Sequence, residues 1–100
     1  MSADGACEGA FVIAGELGLH ARPAGRFAAQ AGHFESEVSV SRGAAGDEWV
    51  SGRSVLSMLS LAAAQGTTLC VRAVGPDAEE AVRVLGALLE EESEALPTAD

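Results

Sequence analysis

One hundred residues suit one small domain and are too few for two independent cores, and an apolar fraction of 48% supports a folded globule. All six basic residues are arginine and fifteen acids give a net charge of −9, which argues against nucleic acid and anionic membrane surfaces as partners. No stretch approaches the roughly 20 apolar residues of a membrane span, and the start lacks a basic secretion signal, so the pattern predicts a cytoplasmic protein without membrane insertion.

In chain order, residues 1–5 read as a frayed start and Ala6 to Ala14 as a strand, with Phe11, Val12 and Ile13 its most buried part. Gly15 to Leu19 forms a loop. From Ala21 a helix runs to about Gly32, with Ala24, Phe27, Ala28 and Ala31 spaced for one apolar face and Gly32 as its stop. His33 follows as a surface or helix-end residue. Val38 to Ser41 alternates with period two, although Phe34, Ser36, Val38 and Val40 are not uniformly apolar. Arg42 to Asp47 reads as a hairpin loop returning through Glu48, Trp49 and Val50 as a second antiparallel strand, with Trp49 covering a sheet face.

Ser54 is a suitable N-cap for a helix with Val55, Met58, Leu59 and Ala62 apolar, Leu56 and Ser60 turned elsewhere, and Gly66 at its end. So many large apolar groups on a short helix predict an exposed patch, which beside arginines suits protein docking. Thr67 to Val74 is the last strand. Gly75 and Pro76 turn the chain, and Asp77 with Glu80 predicts a reciprocal capping box for a final helix. Ala78, Ala81, Val82, Leu85, Leu88 and Leu89 form its inward stripe, and Gly86 costs that helix about 1 kcal/mol relative to alanine, so packing must sustain it.

The order β-α-β-β-α-β-α predicts an α+β, open-faced two-layer sandwich: a four-stranded antiparallel sheet with three helices on one face. It would be a single domain over 1–100, with its core at about 6–92 and an acidic tail, 93–100, that frays. Cys7 and Cys70 are not spaced as metal ligands and read as reduced apolar side chains, and no metal site is predicted.

Chemistry concentrates at Gly18-Leu19-His20-Ala21-Arg22-Pro23-Ala24. Proline is tolerated in a helix's first turn, so Pro23 marks a beginning and puts His20 at or beside the N-cap. The first amides of a helix lack internal acceptors and carry partial positive charge, so with Arg22 they would hold an anion formed on the ring and disfavour a cation there. That suits a nucleophile accepting a phosphoryl group. The plainer alternative is a polar capping residue followed by ordinary helix punctuation.

Both stretches, Gly18 to Ala24 and Arg53-Ser54-Val55-Leu56-Ser57-Met58-Leu59-Ser60-Leu61, closely resemble the HPr family, the histidine-containing phosphocarriers of the phosphoenolpyruvate-dependent phosphotransferase system. The match extends from about Phe11 to about Leu89. The resemblance implies a carrier rather than an enzyme, without a cofactor, that takes a phosphoryl group from phosphorylated enzyme I on Nδ1 of His20 and passes it to EIIA-type acceptors. Arg22 would pair with the phosphate and the amides of Ala21 and Arg22 would cradle it. Arg26, Arg53, Val55, Leu56 and Leu59 would form the docking surface of a monomer. Ser54 corresponds to the serine that an HPr kinase/phosphorylase modifies in relatives, and the alternative function is a regulatory module acting through phosphorylated Ser54 without sugar-directed transfer. Ser57 and Ala62 stand where relatives often have glycine, and Arg42 to Asp47 is longer than in short relatives.

Overall fold

The computed structural model describes residues 5–43 and 48–91. The elements are β1 (Ala6–Val12), α1 (Ala21–Ala31), β2 (Glu37–Ser41), β3 (Val50–Ser51), α2 (Val55–Leu59), β4 (Thr68–Val74) and α3 (Ala78–Leu89). The strands form one sheet in the order β1-β4-β2-β3, every neighbouring pair antiparallel. The four-stranded α+β sandwich expected from the element order is therefore the fold. The first residues, most of the hairpin loop and the acidic tail lie outside the described residues.

Alternation along β4 explains the two layers. Leu69, Val71 and Ala73 are buried beneath the helices, whereas Thr68 and Val74 of the opposite parity are exposed. Phe27, Met58 and Leu85, all fully buried, bring one large side chain from each helix to that covered face. Cys7 pairs in register with the buried Ala73 and packs on the core, whereas Cys70 pairs with Ala10 on the other parity, so the two free thiols lie on opposite sheet faces. On the open face Trp49 stacks against Arg72, whose guanidinium carbon lies 3.9 Å from the ring centroid, the sheet-covering role predicted for it.

Several sequence expectations are corrected. β1 ends at Val12, which is 48% exposed, because an edge strand covered on one side alternates and does not bury a continuous run; Ile13, just beyond it, is buried. β3 is Val50–Ser51, starting two residues later and ending one residue later than predicted. The run Phe34, Ser36, Val38 and Val40 is not uniformly apolar, as read, yet Ser36 is buried like Val38 and Val40, its hydroxyl donating to the Asp77 carboxylate (2.6 Å). Gly32 does end α1 as predicted, but as a cap in right-handed conformation (φ −68°), so the helix unwinds through successive tight turns and needs no left-handed glycine.

α2 stops at Leu59 rather than Gly66. Ser60 caps it, and Ala62 adopts φ +50°, a left-handed conformation costly for a residue with a Cβ, which turns the chain sharply. Ala62 is thus not on the helix's inner face; Met58 anchors α2 and Leu61 is buried just past it.

The predicted capping box does not form. Asp77 makes no side-chain cap bond; its carboxylate accepts the Glu35 amide (2.9 Å), the Ser36 amide (3.0 Å) and the Ser36 hydroxyl (2.6 Å), and Glu80 pairs with Arg83 (2.6 Å). Three donors on one carboxylate outweigh a local cap, so the start of α3 is fastened to the entry of β2. Led by the Ser36 hydroxyl, these bonds hold the Asp77 carboxyl below its ordinary value of 3.8.

Candidate functional site

His20 is the N-cap of α1, with extended backbone (φ −101°, ψ −170°) and a partly exposed side chain that makes no capping hydrogen bond. The first intrahelical bond runs from Ala24 N–H to the His20 carbonyl (3.0 Å), so the amides of Ala21 and Arg22 lie before the helical ladder begins, and Pro23 has no N–H to offer. Ala21 and Arg22 are exposed while Ala24 is fully buried, so the apolar face of α1 grips the core and the His20 end faces solvent.

The loop before His20 is fixed from both sides. Ile13 N–H donates to Thr67 (2.9 Å), Gly66 N–H to Ile13 (2.8 Å) and Leu19 N–H to Ala63 (2.8 Å), each at a carbonyl, and the Gln65 side-chain amide donates to the Ala14 carbonyl (3.0 Å). Gly18 has φ +71°, and a Cβ built on it would lie 2.6 Å from the Ala63 oxygen, so only glycine lets the loop lie against the turn that follows α2. Within the loop, Gly18 N–H closes a tight turn onto the Gly15 carbonyl (3.0 Å), which leaves Leu17 73% exposed. Leu17 was missed in the sequence; its signal is an apolar residue at the tip of a Gly-Glu-Leu-Gly turn, where polar residues are the rule.

Ser54 is the N-cap of α2, and its Oγ accepts the Ser57 amide at 3.1 Å. The predicted exposed patch exists: Leu56 is 80% and Val55 37% exposed, while Leu59 packs partly against the core. α2 lies against α1. The two arginines expected in docking are engaged locally. Arg53 donates to the carbonyls of Phe34 (2.8 Å) and Ser36 (3.1 Å), just past the C-terminal end of α1, and Arg26 forms a two-point contact with Glu91 (2.9 and 3.3 Å). His20, Ala21 and Arg22 thus meet at one end of α1, whereas Arg53 reaches toward the other, about 16 Å away along an 11-residue helix. Among the described residues no group of three or more His, Cys, Asp or Glu side chains could hold a metal ion.

The model of one protein family, described as the PTS HPr component phosphorylation site, matches residues 7–91. The chain belongs to the HPr family. It is 40% identical over 77 residues to the phosphocarrier protein HPr of Neisseria meningitidis, covering 77% of this chain and 83% of that protein. The solved HPr-C-His of Thermoanaerobacter tengcongensis is 34% identical with a TM-score of 0.75, over 84% of this chain and 91% of that one. HPr of Bacillus anthracis matches at a TM-score of 0.76 and 27% identity, over 84% and 96% of the two chains. As an HPr, the chain is a phosphocarrier of the phosphotransferase system and not an enzyme. No helix among the described residues is long and apolar enough to cross a membrane.

Proposed function

We propose that the chain carries its phosphoryl group on Nδ1 of His20, loaded by phosphorylated enzyme I and unloaded by an EIIA-type acceptor. The observation that supports this most directly is His20 at the start of α1 with its side chain outside the cap and two amides preceding the helical ladder. In loading, the Nδ1 lone pair attacks the donor's phosphorus, a new P–N bond forms, and the donor's P–N bond breaks with its electron pair returning to the donor imidazole. Unloading is the same displacement in reverse, onto the acceptor. Little covalent work falls to the protein in such a transfer; positioning and charge stabilisation dominate. The amides of Ala21 and Arg22 and the Arg22 guanidinium supply that stabilisation, with the positive end of the helix dipole behind them.

Val55, Leu56 and Leu59, with Arg26 and Arg53 at the margin, form the docking surface, and the chain works as a monomer. Modification of Ser54 by an HPr kinase/phosphorylase is the regulatory input. The modified oxygen is the one that caps α2, and phosphate at a helix N-terminus is locally tolerated, so the added charge acts on docking and not on folding.

Incubation with phosphoenolpyruvate and enzyme I tests the reading. An acid-labile, base-stable phosphoryl group on His20, absent from the His20→Ala variant, is the expected result; no loading by several enzyme I homologues contradicts it.

A further inference from the structure

Leu17 stands apart from the surface already described. It is 73% exposed, lies in the loop and not on α2, and precedes His20 by only three residues. Two consecutive tight turns hold the backbone from Leu17 to the histidine: Gly18 N–H donates to the Gly15 carbonyl across Glu16 and Leu17 (3.0 Å), and His20 N–H to the Gly18 carbonyl (3.1 Å). The flanking backbone is fixed by the bonds of Ile13, Ala14 and Leu19 to the turn after α2, so Leu17 projects from a pre-formed turn. A large apolar side chain that contributes nothing to the core, held at a turn tip beside a transfer site, gains from burial only when another protein covers it. Because the turn is already ordered, covering it fixes one side chain and no backbone, which keeps the entropic cost of association low.

We propose that Leu17 is a specificity-determining contact for the phosphoryl donor: an apolar wedge that enters a complementary apolar recess beside the donor's phosphohistidine. The proposal rests on His20 as the loaded residue. A donor that brings its phosphorus within reach of the His20 ring covers the adjacent turn, and a donor with a polar or charged rim there leaves Leu17 against unpaired polar groups and is disfavoured.

The test is steady-state loading by phosphoenolpyruvate and enzyme I of the intact chain, its Leu17→Ser variant, and a Val12→Thr control on the exposed edge strand. Loss of leucine burial raises the concentration of Leu17→Ser at half-maximal rate about tenfold. The limiting rate and the thermal midpoint stay unchanged, and Val12→Thr behaves as the unaltered chain. A half-saturating concentration for Leu17→Ser within about twofold of the unaltered chain, or an equal rise in Val12→Thr, overturns the assignment of Leu17 while leaving His20 untouched. Failure of the unaltered chain itself to be loaded removes both.

Discussion

The amide of Leu19 donates to the carbonyl of Ala63 across 2.8 Å, joining the residue before His20 to the turn that follows α2. Gly18 makes this approach possible, being left-handed and at a position where a Cβ would collide with the Ala63 and Ala64 backbone. Gly18→Ala forces a side chain into left-handed backbone, at about 1–2 kcal/mol, and pushes the two segments apart. Urea denaturation should show a loss of at least about 1 kcal/mol, the Leu19 amide should exchange faster, and His20 should be loaded more slowly. Unchanged Leu19 exchange contradicts the tie.

Gly86 lies in the middle of α3 because the Phe11 ring of β1 rests against it; a Cβ built there overlaps the ring. Gly86→Ala gains about 1 kcal/mol of helix propensity but overpacks a filled contact, at about 1–3 kcal/mol. The urea midpoint should therefore fall at constant slope. In a background carrying Phe11→Leu the same substitution should become neutral or stabilising, a coupling of about 1 kcal/mol or more.

Asp77 links folding to acidity. Its folded-state pKa lies below the ordinary 3.8, because the Ser36 hydroxyl and the Glu35 and Ser36 amides favour the carboxylate. A depressed carboxyl contributes stability that is complete above the unfolded value and is lost as pH falls through the folded one. Asp77→Asn should lower the thermal midpoint near neutrality, and the gap from the unaltered chain should close as pH drops below 3.8. A gap that is constant with pH contradicts the ionised tie.

Ser54→Asp separates docking from folding. Aspartate is as good an N-cap as serine, so α2 keeps its bond to the Ser57 amide and stability should change by no more than about 0.5 kcal/mol. Loading by enzyme I should nevertheless fall, since a fixed negative charge then stands beside Val55 and Leu56. Loading at the unaltered rate contradicts a docking role for this face.

Local chemistry was legible in the sequence. Pro23 marked the start of α1, Ser54 the start of α2, and the stripes on α1 and α3 named core residues that the structure buries, Leu88 alone being only partly buried, because each signal is complete within a few residues of itself. What escaped depends on distant partners. Asp77 beside Glu80 reads as a capping box until Ser36, 41 residues away, brings a hydroxyl and two neighbouring amides to the same carboxylate. The basic reading of Arg26 and Arg53 could not anticipate Glu91 or the carbonyls past α1. The early end of α2 lies in the left-handed Ala62, a residue whose type predicts continued helix. Of the proposed transfer site, His20, Ala21 and Arg22 were legible as one helix start, whereas the Ala63 anchor and the exposure of Leu17 needed the tertiary frame.

The most direct measurement is the nitrogen-15 NMR spectrum of the chain before and after loading by phosphoenolpyruvate and enzyme I. Loading at the mouth of α1 predicts phosphorus coupling to Nδ1 of His20 and large downfield shifts of the Ala21 and Arg22 amide protons, with those of β3 and the start of α3 unmoved. Phosphorus on any other residue, or a loaded His20 that leaves both amides in place, contradicts it.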